Sequence, residues 1–309
     1  MNFQERHQDY VLGPTQDPRL ASVAPGAVVS SVDLPLDTDA PFVLRSRALW
    51  CDFTNGNSVT QTDLQLLKTR WAGPTLDFRQ QGYVSEAAQM AYFGQFGRPK
   101  PVGPIQYPAG SILRIDVYNA STTITITNLT FLWRGVKLFP FGSVPGYTYP
   151  AKCGIRPFNY QIPITAVGTT TTLRNQIFTV KQDADFVLRG LQAEVTEGGS
   201  PVSRNVGIQL MDWTRKPFSN DYVRLDVLAG RASQSSADTS TVIYPVGTAS
   251  KIAPLGAGPG APGLLYPEIY IPANHQILYS LQRADGSIAG AAAANITLVL
   301  VGAKVFQQD

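Results

Sequence analysis

The stretch ITNLTFLWRGVKLF, residues 126–139, decides how this chain is read, because it returns near the C-terminus as NITLVLVGAKVF, residues 295–306. The two align without a gap. Asn128 falls on Asn295, Thr130 on Thr297, Gly135 on Gly302, Lys137 on Lys304 and Phe139 on Phe306. The positions between them stay apolar. One structural unit therefore occurs twice, and each copy closes with this strand.

Three further blocks repeat in the same order. DAPFVLR at residues 39–45 recurs as DADFVLR at 183–189, and Gln65-Leu66-Leu67 aligns with Gln209-Leu210-Met211 at the same offset. Pro108-Ala109 before ILRIDVYN matches Pro272-Ala273 before QILYSLQ, where the offset has grown by about 20 residues. That growth places an insertion in the second copy, in the Gly/Ala/Pro/Ser-rich stretch 229–263. Chance similarity between two β-rich segments accounts for one block, not for four in order.

Working outward, DAPFVLRSRALWCDF reads as a strand entered from a proline, rich in β-branched and aromatic residues. Asn55-Gly56-Asn57 is a turn signal, and residues 59–71 follow with Leu64 and Leu66 inward. Residues 85–93, SEAAQMAYF, are the best helix candidate, with Ser85 as N-cap. GRPKPVGPIQYPAGS, residues 97–111, reads as a proline-rich loop. Residues 1–38 read as an arm: polar at first, then broken by Pro14, Pro18, Pro25 and Pro35, either disordered or laid along another surface. The boundaries are then an arm over 1–38, a first β-sandwich unit over 39–140, a packed connector rich in aromatics over 141–180, and a second β-sandwich unit over 181–309.

The fold class follows as all-β: two tandem jelly-roll-like sandwiches with an extended N-terminal arm. Many short strands between Gly/Pro turns must cover one apolar face with a second sheet. The long irregular connections suit Greek-key crossovers. An immunoglobulin-like sandwich is the alternative, although Cys51 and Cys153 do not bracket a tryptophan within one unit as that fold's cysteines commonly do.

The bulk composition narrows the function classes. The chain has 309 residues, 44% hydrophobic and 15% charged, with 23 Pro and 27 Gly scattered through it. That supplies a large core. The net charge of +3, with no run of four basic residues, argues against direct nucleic-acid binding. The densest basic spots, Arg45/Arg47 and Lys68/Arg70, read as solvated strand faces. No apolar run spans a membrane, and the polar start shows no secretory signal.

Little in the chain points to catalysis. The two histidines, His7 and His275, stand near no Ser or Cys in a nucleophile context. No zinc spacing occurs. Residues 256–263, GAGPGAPG, lack the lysine of a phosphate loop. Glu86, Glu194, Glu197 and Glu268 form no recognisable acid pair. Glu268 between Tyr266 and Tyr270 suggests a sugar-binding face, weighed against an ordinary strand entry. Asn128-Leu129-Thr130 and Asn295-Ile296-Thr297 match the glycosylation sequon but read as structural, because they recur at one point of a repeated strand. The expectation is no catalytic residue, cofactor site or metal site.

The Phe-Val-Leu-Arg opening, the Tyr-Pro-Ala-Gly and Ile-Pro-Ala turns before an apolar strand, and the closing Gly-Val-Lys-Leu-Phe and Gly-Ala-Lys-Val-Phe resemble bacteriophage virion structural proteins of jelly-roll type. The resemblance covers both units and not the arm. It implies a non-enzymatic, capsid-associated protein, a decoration or head accessory protein, located in the virion and assembled in the host cytoplasm. Such a protein forms homo-oligomers, trimers first among them, and binds the major capsid protein, with no direct nucleic-acid or membrane contact. A double-jelly-roll major capsid protein is the alternative within the family. A carbohydrate-binding or glycan-degrading sandwich is the alternative from another class.

Overall fold

The computed structural model describes residues 3–53, 67–76, 82–85, 100–142, 153–197, 200–201, 206–212, 214–224, 233–234, 242–243, 264–283 and 292–307. They are almost entirely strand. The one helical element among them is a short 3-10 turn, Pro18–Ala21.

In the first half the strands are β1 (Phe3–Leu12), β2 (Ser22–Val23), β3 (Val28–Pro35), β4 (Phe42–Phe53), β5 (Leu67–Trp71), β6 (Val84–Ser85), β7 (Lys100–Tyr107), β8 (Ile112–Asn119) and β9 (Ile126–Pro140). They build two sheets, β1-β9-β4-β7 and β3-β8-β5-β6, with β2 added against β9. Leaving out the short β2, the sheets run first-eighth-third-sixth and second-seventh-fourth-fifth in chain order. That order is a jelly roll, in which Greek-key crossovers put sequence neighbours in opposite sheets.

The second half repeats the order with β10 (Cys153–Val167), β11 (Thr172–Thr179), β12 (Asp185–Glu197), β13 (Ser200–Pro201), β14 (Val206–Met211), β15 (Val223–Arg224), β16 (Ser233–Gln234), β17 (Val242–Ile243), β18 (Leu264–Ile271), β19 (Gln276–Arg283) and β20 (Ala294–Gln307). Its sheets are β10-β20-β12-β18 and β11-β19-β14-β15. The short β13 pairs with the end of β12, and β16 and β17 form a separate ribbon inside the expected insertion. The chain divides into two compact units. One comprises Asp9–Leu138 with Ala232–Val242, and the other comprises Met1–Gln8, Phe139–Arg231 and Ile243–Asp309.

The expected duplication holds at single-residue register. In the first unit Phe42 pairs with Lys137 and Leu44 with Gly135, with a bulge at Arg45. In the second, Phe186 pairs with Lys304 and Leu188 with Gly302, with a bulge at Arg189. A second pair of bulges also matches. Ser31 (φ 52°) in β3 and Asn175 (φ 51°) in β11 take the left-handed conformation. The strand across from each supplies a side chain to the displaced amide: Ser31 N–H donates to Asp116 Oδ1 at 2.7 Å, and Asn175 N–H donates to Ser280 Oγ at 3.0 Å. A bulged amide has no ladder partner, so a neighbouring side chain satisfies it.

Several expectations need correction. The stretch 1–38 is not a separate arm: β1 and β3 are the first two strands of the first jelly roll, with Tyr10, Val11, Leu12, Val32 and Leu34 in the core. The stretch 141–180 is not a connector, because β10 and β11 open the second roll. Residues 100–107, read as loop on their prolines, form β7. Pro101 and Pro104 fit there because, among the described residues, β7 pairs only with β4, and an edge strand needs no donor on its open side. Finally, the block 65–67 does not correspond to 209–211. Leu67 pairs with Asn119 and Val206 pairs with Arg283, so Leu67 matches Val206.

Ser85, expected to cap a helix, lies in β6. The rest of that helix expectation, the turn at 55–57, Leu64 and Leu66 lie outside the described residues.

Each core forms where inward strand positions meet between the two sheets. Strand β14 shows the plain alternation of one covered face, with Val206, Ile208 and Leu210 buried and the residues between them half-buried. Strand β9 is buried continuously from Leu129 to Lys137, so both faces of the first unit's β1-β9-β4-β7 sheet are covered along it.

Candidate functional site

The residues that repeat most closely build the same node in each unit. Tyr10 in β1 packs edge-on against Phe42 at 5.0 Å between centroids, and Tyr160 in β10 packs edge-on against Phe186 at 4.9 Å. The Tyr10 hydroxyl accepts from Asp37 N–H at 3.3 Å, and the Tyr160 hydroxyl accepts from Lys181 N–H at 3.3 Å. Beside each tyrosine lies the repeated lysine. Lys137 Nζ pairs with Asp37 and, at 2.9 Å, with Asp39 Oδ1. Lys304 Nζ reaches Asp183 Oδ2 at 2.5 Å and stands 4.2 Å over the Phe158 ring.

Both lysine side chains are buried while their aspartates are about half exposed. A buried ammonium demands a fixed counter-charge, and the ring faces supply part of its solvation. The node closes the turn into β4 or β12 against the last strand of its roll. It is structural.

Protonation follows from these contacts. Burial, reinforced by the Asp37 charge, pushes the Tyr10 phenol far above its ordinary range. Hydrogen bonding from Lys304 holds the Asp183 carboxyl below its ordinary 3.8, and hydrogen bonding from Arg19 does the same for Asp17. A carboxyl depressed in the folded state stabilises above its unfolded value and loses that contribution as pH falls through its folded value. The contribution of these two carboxyls to stability should therefore be fully present above about pH 4 and decline below it. In Asp183→Asn the part of that acid loss owed to Asp183 should vanish, as read by chemical denaturation at each pH.

The residues singled out in the sequence are dispersed. His7 is buried and His275 is exposed on the turn before β19, with Nδ1 3.1 Å from Ala273 O. No cluster of three metal-ligating side chains occurs among the described residues. Glu268 is engaged by Arg189 Nε at 2.8 Å, while the Tyr266 side chain and Glu86 lie outside the described residues. Asn295 Oδ1 accepts from Ala166 N–H at 3.0 Å, a structural role for that sequon. Cys51 is buried in β4, and the Cys153 side chain lies outside the described residues.

The basic pairs split. Arg47 is not on a solvated face: it is buried in the central strand β4, its guanidinium 5.8 Å from the Trp71 ring. Lys68 and Arg70 do face outward, on the β3-β8-β5-β6 sheet of the first unit, and they do not stand alone there. Lys68 lies across from Tyr118 and Arg70 across from Asp116. Arg70 binds Asp116 Oδ2 through Nε at 3.2 Å and Nη2 at 2.6 Å. Its guanidinium stands 5.4 Å over Tyr83, which meets Tyr118 edge-on at 5.9 Å. Arg114 and Asp33 make a second two-bonded pair at 2.6 Å beside it.

Pairing alternate strand positions lays these groups on one face. The sequence contains the signal in LKTRW, residues 67–71, and ILRIDVYN, residues 112–119. Only the β5–β8 register brings the two segments together.

No family model and no curated protein matches the chain. Among solved structures, the STIV MCP aligns at 12% identity over 96% of this chain and 97% of that one, with TM-score 0.28. The mavirus major capsid protein aligns at 10% identity over 97% and 86%, with TM-score 0.18. The VP2 subviral particle of infectious bursal disease virus aligns at 11% over 99% and 76%, with TM-score 0.15. At these values the assignment of the fold rests on the chain's own strand order and register, which make it a double jelly roll.

Proposed function

We propose that the chain is a structural protein of a virus particle, and that it builds the shell rather than decorating it. The observation that carries this reading is the presence of two complete jelly rolls of one strand order and one register in a single chain. Two like rolls in one subunit suit a shell, where one chain must present similar faces to several neighbours. Three such chains make a block with a pseudo-sixfold outline, which tiles a surface.

A free arm laid along a neighbouring subunit would suit a decoration or head accessory role. Residues 3–12 and 28–35 are instead core strands, which favours the shell-forming reading. A bacteriophage particle and assembly in the host cytoplasm remain part of the proposal.

The test is assembly. Purified full-length chain should run as a trimer by light scattering, and electron microscopy at raised concentration should show closed or sheet-like arrays. A strict monomer forming no arrays overturns the shell-forming reading. Binding to preformed shells of another protein, without self-assembly, returns it to decoration.

A further inference from the structure

The duplication provides an internal control. Features that the jelly roll needs occur in both units: the two bulges, the glycine opposite β4 or β12, and the lysine–tyrosine node. A feature built in only one unit is not demanded by the fold. The outer face of the first unit's β3-β8-β5-β6 sheet is such a feature.

Register gives the equivalents directly. Lys68 and Tyr118 pair where Gly207 and Gln282 pair in the second unit. Arg70 and Asp116 pair where Gln209 and Ser280 pair. One sheet face thus carries two tyrosines, a lysine and a rigid guanidinium–carboxylate pair. Its counterpart keeps one tyrosine, Tyr222 at the place of Tyr83, but has Gly207, Gln209, Ser280 and Gln282 where the first unit has Lys68, Arg70, Asp116 and Tyr118.

We propose that this face binds a glycan bearing a carboxylate, of the sialic-acid or uronic-acid class. The inference goes beyond the shell-forming role and does not depend on it.

The chemistry selects this ligand. Lys68 lies over Tyr118 at 5.9 Å and is matched by no carboxylate among the described residues, so it supplies the positive charge for an acidic sugar. The Arg70–Asp116 pair is held in place by two bonds and by the Ser31 amide. Asp116 is buried, so what the pair presents to a ligand is the part-exposed Arg70 guanidinium, a fixed donor for ring or carboxylate oxygens. Tyr83 and Tyr118 border it with ring surface and hydroxyls, their rings meeting edge-on at 5.9 Å.

A nucleic acid fits less well, because Arg70 and Arg114 are each already paired to a carboxylate, which leaves Lys68 alone among the described residues of this face to meet a run of phosphates. A protein partner would want apolar anchors. Val28, across from Tyr118, is the one large apolar side chain exposed there among the described residues.

The experiment is calorimetric titration of the full chain with sialyllactose and with trigalacturonate, with lactose and a single-stranded oligonucleotide as controls. At least one acidic glycan should bind, with lactose at least about tenfold weaker, the size of one charge-assisted contact. Lys68→Met keeps the aliphatic stem on Tyr118 and removes the charge, and should weaken binding about tenfold. Tyr118→Ala should do the same, while Gln282→Ala, at the equivalent place in the second unit, should change nothing. Unfolding curves that match the parent for each variant establish that folding is intact. Failure of both acidic glycans to bind, binding unaffected by Lys68→Met and Tyr118→Ala, or tighter binding of the oligonucleotide overturns the proposal.

Discussion

Alanine at Gly135 or at Gly302 should destabilise the protein by at least about 3 kcal/mol and sharply lower its soluble yield. A Cβ on Gly135 would sit 2.0 Å from Val43 O and 2.9 Å from the Phe42 ring. On Gly302 it would sit 2.1 Å from Val187 O and 2.7 Å from the Phe186 ring. The obstacle is backbone, so no rotamer change relieves it. The sheet must open, or the bulge at Arg45 or Arg189 must be lost together with the strand register after it. Total stability of roughly 5–15 kcal/mol leaves little room for such a change. Gly82→Ala, where nothing lies within 4 Å, is the control and should shift the urea midpoint hardly at all. If Gly135→Ala and Gly302→Ala unfold at the parent's denaturant concentration, the close approach of β4 to β9 and of β12 to β20 is wrong.

Arg283→Ala should cost about 3–5 kcal/mol, the cost of breaking a buried ion pair from one side. The Arg283 side chain is fully buried at the end of β19. It donates to Val167 O and Ala292 O at 2.7 Å each and to Glu197 Oε1 at 2.5 Å. Removing it takes the guanidinium from the Glu197 carboxylate and leaves the buried Val167 carbonyl without this donor.

The first unit solves the same problem without charge. Asn119, at the equivalent end of β8, donates to Val23 O, Ala24 O and Ile124 O. Both residues bind the carbonyl of the matching position, Val23 or Val167, and so tie the first part of each roll to its seventh strand. The measurement is a double-mutant cycle. Glu197→Gln in the Arg283→Ala background should recover part of the loss, because a neutral amide costs less to bury than an unpaired carboxylate. Additive losses for the two changes would sink the account of Arg283 as the counter-charge of Glu197.

The parts of the fold legible in the sequence are those where a contact demands a particular residue type. Gly135 and Gly302 recur because backbone leaves no room for a side chain. Lys137 and Lys304 recur because each closes a turn onto an aspartate carried at the same place before β4 and β12. Third and last strands are therefore visible as repeats 144 and 167 residues apart, from Asp39 to Asp183 and from Asn128 to Asn295.

The opening strands were not visible, for the converse reason. β1, β3, β10 and β11 are edge strands. One side of each needs no partner, so prolines such as Pro157 and Pro163 are tolerated. Their remaining partners lie at the far end of each unit. What survives of the repeat there is thin: Arg6 and Tyr10 against Arg156 and Tyr160, the tyrosines marking the node.

The candidate binding face shows the same division. Lys68 and Arg70 are visible as a basic pair, but Asp116 and Tyr118 join them only through pairing across 46 to 50 residues, Arg70 to Asp116 and Lys68 to Tyr118, and Tyr83 through the pairing of β5 with β6. The sequence by itself determined the all-β class, the duplication and the closing strand of each unit, because alternation and close-packing demands are local and leave their mark residue by residue. The tertiary structure alone decided that β1 and β3 belong to the first roll, that two rolls are complete, and that one sheet face gathers charge and aromatic rings. Strand register is a long-range choice, made by whichever partner covers an edge, and no local pattern records it.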